Sequence, residues 1–190
     1  MIVFVGLLTV GIVSAFWGQL SSVYVPDDFK NARLEGAVIS ESIVSLSNQL
    51  SNDLARVNTL DDQGRYDEAI ELADALIGQS KDIRVKANQL STQLETMTRS
   101  LDGITSSDAR DVALSAITER IAMIESLISY SDQLTRVLTI LRGRFVGETI
   151  QQLKVSEAII RINQEVERIN TSNQKAAESM KRFDDLVLSK

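Results

Sequence analysis

The densest group of chemically capable side chains in this sequence is acidic. Asp61, Asp62, Asp67, Glu68, Glu71 and Asp74 fall within one short stretch. Carboxylates held together can exchange protons or bind Ca²⁺. The Asp-x-Asp-x-Asp-Gly order of a calcium loop is missing here, however. The Glu-x-x-His pairs of di-iron bundles are ruled out because the chain has no His. The helix dipole favours acidic residues at a helix start, so a solvated helix start is the plain reading of the stretch. The absence of Cys as well removes more chemistry. There can be no disulfide, no thiol nucleophile, no Cys/His zinc site, no haem-ligating His and no Ser-His-Asp triad. An enzyme would need a convergent carboxylate–Ser–Lys constellation, which the spacing does not suggest. The expectation is a non-enzymatic chain without catalytic residues, metal site or cofactor.

Three polar residues stand out because they interrupt apolar stripes: Ser80, Ser131 and Asn173. A buried polar group costs free energy unless it is paired, so these three could form one polar layer inside a bundle. That layer could be a small ligand site. It could equally be a contact that sets helix register, like an Asn at a coiled-coil core position. Each Ser could also bond back to its own helix. Arg136, Arg142, Arg144, Lys154 and Arg161 are interspersed with acidic residues and lack stacking aromatics. Together with the net charge of −6, this argues against nucleic acid as a partner. Asn170-Thr171-Ser172 fits the N-glycosylation pattern but falls within an expected helix, which makes it a chance match outside a eukaryotic secretory route.

The elements that must position these residues are helices. The 190 residues include one Pro and nine Gly, which is few breakers for a sheet-rich chain. Apolar residues recur in steps of three and four. Leu34, Val38, Ile43, Leu46, Leu50, Leu54, Val57 and Leu60 mark a first helix over 28–60. A second, over 65–102, carries a sustained heptad stripe from Tyr66 through Ala69, Ala73, Leu76, Ser80, Ile83, Ala87, Leu90, Leu94 and Met97 to Leu101. Ser106 or Ser107 is a suitable N-cap for a third helix, over 107–142, with Ile117, Ile121, Ile124, Ile128, Leu134 and Leu138 on its stripe. A fourth, over 148–188, carries Leu153, Ile159, Ile162, Val166, Ile169, Ala176, Met180, Phe183 and Val187. Short connections make sequential helices antiparallel neighbours. The expected fold is all-α: an elongated, coiled-coil-like antiparallel four-helix bundle over 28–190, preceded by a transmembrane helix.

Residues 1–25 are the basis of that last expectation. No charged side chain occurs before Asp27, and Ile2–Val25 can supply the roughly 20 apolar residues of a bilayer span. Trp17 and Tyr24 would suit the headgroup level, and Pro26 would stop the helix. A cleaved signal peptide is the competing reading, with Val13-Ser14-Ala15 as the cleavage candidate but no positive n-region. Lys30 and Arg33 after the span favour a cytoplasmic bundle if the positive-inside rule is applied literally. Ser, Thr, Asn and Gln make up roughly a quarter of the chain, a composition associated with exported domains, and the reading adopted is an extracytoplasmic bundle.

Gln63-Gly64-Arg65-Tyr66-Asp67-Glu68-Ala69-Ile70-Glu71 resembles the inter-helix turn of a tetratricopeptide repeat. The resemblance implies that Gly64 permits the turn, Tyr66 packs back onto the first helix, and Ala69 lets two helices approach. It covers about a dozen residues, and no second copy follows at the repeat period of about 34 residues. In overall plan the chain resembles the uncharacterised membrane-anchored helical-bundle proteins of bacteria, a likeness that implies no activity. The functional expectation is a membrane-anchored structural or interaction module. Its partners would be the membrane, through the N-terminal helix, and a protein or further copies of itself. The hairpins near Gly64–Tyr66 and Phe145–Gly147 are the candidate contact points. The alternatives are a sensor-type ectodomain with a small ligand between its helices, and a secreted bundle after signal cleavage.

Overall fold

The computed structural model describes residues 23–148 and 152–188. Four helices, α1 (Asp27–Asp62), α2 (Tyr66–Arg99), α3 (Ser107–Phe145) and α4 (Gln152–Leu188), follow one another, with no strand among the described residues. At 1.5 Å per residue each is about 50–60 Å long. Sequential helices pack side by side as an antiparallel, all-α four-helix bundle. The expected transmembrane helix lies outside the described residues, apart from its last three positions. No helix among the described residues is long and apolar enough to cross a membrane.

Local chemistry explains each turn. α1 and α3 both end on a glycine with positive φ, Gly64 at 68° and Gly147 at 86°. At the first of these, Gly64 N–H donates to the Asp61 carbonyl (3.0 Å) and Arg65 N–H to the Leu60 carbonyl (2.9 Å). Gly147 N–H and Glu148 N–H repeat the pattern on Arg144 and Gly143. These bonds satisfy carbonyls that the helix end leaves open, and a residue with a Cβ would be strained there. The α2–α3 connection is built differently. α2 ends at Arg99 and a single 3-10 turn, Leu101–Gly103, follows. Ser106 then caps α3, its Oγ accepting from Ala109 N–H at 3.2 Å. Gly103, which closes this turn, is a close-approach site. A Cβ on it would sit 2.6 Å from Pro26 Cγ.

That contact belongs to a strap, residues 23–26, of which 23–25 fall within the expected membrane segment. Val25 is buried in the bundle core. Tyr24 N–H donates to Thr105 Oγ1 (3.0 Å), and Thr105 N–H donates to the Tyr24 carbonyl (3.2 Å). Residues 23–25 therefore belong to the bundle. Apolar composition does not separate a core-packed Val from a lipid-facing one, so the expected segment runs three residues into the bundle.

The α2 stripe lies buried from Ala69 to Leu101. α1 departs from expectation in its first half. Leu34 and Val38 point outward, 58% and 61% exposed, while Ala32, Gly36 and Ser40 face inward. Gly36 lies so close to α2 that a Cβ there would meet Leu90 Cδ1 at 3.3 Å. Small residues win the inner face because they let the two helices approach and bring more of the large α2 side chains into contact. α3 buries a wider face than one stripe, including Ala116, Met123, Leu127, Tyr130 and Val137, while Ile121 is exposed. α4 buries Ala158, Ile162, Val166 and Ile169, then Ala176, Met180, Phe183 and Val187.

Two glycine substitutions should move stability in opposite directions. Gly103→Ala must displace the Pro26 ring and is expected to cost about 1–3 kcal/mol. Gly78→Ala, with nothing within 4 Å of the added Cβ, should stabilise α2 by about 1 kcal/mol. Urea unfolding of the two variants beside the parent checks both signs.

Candidate interaction site

Both glycine turns lie at one end of the bundle, the tip. Residues 23–26 and the α2–α3 connection lie at the other, the base. Tyr66, first residue of α2, stacks on Phe145, last residue of α3, with ring centroids 6.1 Å apart and 25° between planes. Phe145 is buried beneath it and Tyr66 stays 48% exposed. The tetratricopeptide resemblance implied that Tyr66 packs onto the first helix, but its ring partner is on the third. Ala69 is fully buried, in the role of a small residue between helices, and Gly64 occupies the left-handed turn position.

Three carboxylates of the acidic stretch are ion-paired at this end of the bundle. Asp61 pairs with Arg144 (3.0 Å), Asp74 with Arg142 (2.7 Å), and Glu68 with Arg65 (2.5 Å). The Arg65 hydrogen bond holds the Glu68 carboxyl below its usual pKa. These are exposed or half-exposed pairs, each contributing little to stability. They orient the two turns relative to each other. An open groove of about 510 Å³ runs between the end of α1 and the start of α2. Leu60, Leu72 and Ala75 supply its apolar lining, and Arg56, Arg65 and Glu71 are among its charged groups. Val146 adds an exposed apolar side chain at the second turn. Together these make an open surface of mixed apolar and charged character.

The three stripe-interrupting residues do not form one layer. Ser80 and Ser131 meet. Ser131 Oγ donates to the Ser80 carbonyl at 2.6 Å, and the Ser80 and Thr135 hydroxyls lie 2.5 Å apart. Ser80 Oγ also reaches the Ile77 carbonyl of its own helix at 3.1 Å. This is a satisfied α2–α3 contact with no free donor aimed at a ligand. Asn173 lies elsewhere, lining a cleft with Ser40, Ile43, Val44, Met123 and Leu127 between α1, α3 and α4. The cleft has a volume of about 20 Å³, room for roughly one water molecule. Asn173 is half-buried, whereas Val166, Met180 and Val187, at the same heptad position of α4, are buried.

The structure adds buried polar groups that the sequence reading overlooked. Ser40 donates to the Gly36 carbonyl (2.8 Å), while Ser47 Oγ is buried with no hydrogen-bond partner. Both fall on the 36-40-43-47-50-54 progression of α1, so helical spacing was the available signal. Tyr130 is also buried, and burial raises its phenol to about 12. It is no acid or base near neutrality. No group of three or more Asp or Glu among the described residues is arranged to hold a metal ion.

Tyr130 makes the alkaline stability profile predictable. Its proton is held to about pH 12 in the folded chain but lost near pH 10 once unfolded. Its contribution is therefore intact below about pH 10 and disappears as pH rises toward 12. Chemical unfolding at pH 9 and pH 11.5 should show an alkaline loss that is smaller in Tyr130→Phe. At the tip, Tyr66→Ala is expected to cost about 1 kcal/mol, consistent with an aromatic pair that is partly exposed.

No protein-family model matches the chain, and neither a curated protein nor a solved structure matches it.

Proposed function

We propose that this chain is a membrane-anchored, non-enzymatic interaction module: a rod held at its base and offering its tip to a protein partner. One observation carries the reading. The strap that follows residues 1–22 is fastened at the end of the bundle opposite the two glycine turns, through Tyr24–Thr105 and Pro26–Gly103. A tether through the apolar N-terminal segment would then leave the Tyr66–Phe145 pair and the neighbouring groove about 50–60 Å away, facing outward. Residues 1–22 keep about the length a bilayer span needs even without the three residues that join the bundle. The tip's half-exposed Tyr66 and its arginines support a protein partner, since Tyr and Arg are enriched at such contacts. A ligand sensor finds less support, because the Asn173 cleft has room for about one water molecule. The bundle is read as extracytoplasmic on its neutral polar composition.

Fractionation of cells carrying the full-length chain with a C-terminal tag tests the anchor. Recovery in the membrane pellet, with the tag cleaved by protease added to spheroplasts, is the expected result. A soluble product with a shortened N-terminus would sink it. For the tip, the double variant Tyr66→Ala/Val146→Asp should lose proteins captured by in-cell cross-linking while keeping its helical circular dichroism. Unchanged capture would move the contact to the sides of the rod.

A further inference from the structure

The open groove at the tip, about 510 Å³ in volume, has two walls. Arg56, Thr59 and Leu60 of α1, with Gln63 just past its end, form one; Glu68, Glu71, Leu72 and Ala75 of α2 form the other. Steps of three and four keep each set on one side of its helix. Leu60 and Leu72 are partly buried, so each packs on the core and leaves the rest of its surface to the groove. Ala75 is exposed, and its short side chain leaves room beside them. The α2 wall from Glu68 to Ala75 is about 10 Å long, two helical turns.

The polar groups of the lining are engaged within the chain, with one exception. Arg56 Nη1 donates to Asp53 Oδ1 at 2.9 Å, and Thr59 Oγ1 to the Ala55 carbonyl at 3.1 Å. Arg65 donates through Nε and Nη2 to the two Glu68 oxygens and through Nη1 to Gln63 Oε1. Glu71 is the exception. Among the described residues its exposed carboxylate has neither an ion pair nor a hydrogen bond. The same imbalance holds around the groove. Arg142 and Arg144 are matched by Asp74 and Asp61, whereas Asp62 and Asp67, beside the α1–α2 turn, have no partner among the described residues. A partner carboxylate would have to displace Asp53 or Glu68 from an arginine, with Glu71 and Asp67 repelling it. A partner Lys or Arg meets Glu71 unopposed.

We propose that this groove takes a short basic–apolar segment of a partner protein. One Leu, Ile, Met or Phe sits on Leu60, Leu72 and Ala75, and a Lys or Arg reaches Glu71. The inference rests on the reading of the tip as a protein contact and names what the partner presents there. The apolar side chain covers the leucine surface still open to water. The cation makes a charge-assisted hydrogen bond to the Glu71 carboxylate. A wall of about 10 Å spans about three residues of an extended segment or two turns of a helix, so the two anchoring residues stand close together in the partner's sequence. The contact is open to solvent, and salt weakens it.

Selection from a random linear peptide library displayed on phage is the test, with the full chain held in non-ionic detergent. The expected result is enrichment of peptides that carry Leu, Ile, Met or Phe close to a Lys or Arg. The synthesised consensus peptide should bind Glu71→Lys about tenfold more weakly than the parent, and Ala75→Gln, which fills the groove floor, should weaken it as well. Asp82→Lys makes the same charge reversal at an exposed α2 position outside the groove and should bind like the parent. The consensus peptide with its cation changed to Glu should prefer Glu71→Lys over the parent. No enrichment, an acidic consensus, or equal weakening by Glu71→Lys and Asp82→Lys overturns the proposal, the last because it marks diffuse attraction to an acidic chain. The Tyr66→Ala/Val146→Asp variant separates this failure from failure of the wider reading. Peptides lost by that variant yet kept by Glu71→Lys belong to the tip outside the groove, which overturns the groove alone. Peptides kept by both variants overturn the tip as the contact too.

Discussion

The structure depends on one helix being buried from several sides at once. α3 hydrogen-bonds to α2 through Ser131 and Thr135, reaches α4 through Ser129 and Glu165, and lines the α1–α4 cleft with Met123 and Leu127. Its buried face is too wide for a single neighbour to cover. Once α2 and α4 both lie against it, the order of the chain leaves α1 one position, across from α3 and beside α2. The core is aliphatic, so its fit comes from layers of Leu and Ile set against Ala and Ser. Ala73, Ser80 and Ala87 recur at heptad spacing on α2 for that reason. They bring neighbouring backbones near enough for a serine of α3 to bond a carbonyl of α2.

Much of this architecture was legible in the order of residues, and the misses share a cause. The α2 stripe could be read because large apolar residues mark nearly every turn and the small ones keep strict register. On α1 the large residues misled. Leu34 and Val38 carry the hydropathy, yet Gly36 and Ser40 hold the inner face, because a close helix pair rewards the absence of side chain. The wide face of α3 was legible only as a stripe, since periodicity reports one direction of burial and not two. At the candidate site Ser80 and Ser131 could be paired by their position on facing stripes, whereas Tyr66 against Phe145 could not. That contact joins two turns far apart in the chain, and only the shared end of the bundle brings them together.

Charge plays a supporting part. The cross-helix pairs Arg84–Asp132, Arg142–Asp74 and Lys175–Glu119 lie on the outside of the helix seams, where water screens them. They select register and orientation more than they add stability. Arg33–Asp184 is the exception in burial and geometry, and it falls where the backbones stay furthest apart. In the acidic stretch, Asp61 ties the end of α1 to Arg144 of α3, and Asp74 ties α2 to Arg142.

The strap at the base gives the rod mechanical properties. Val25 is packed into the core, and the Tyr24–Thr105 bonds leave no slack between residue 23 and the bundle. Residues 23–26 therefore offer no swivel of their own at the base of the rod. A twist or pull delivered there passes into the α2–α3 connection and along helices that run unbroken to the far end. From the strap to the Tyr66 face the bundle is a rod whose length is set by its helices, where a flexible linker would let that distance vary.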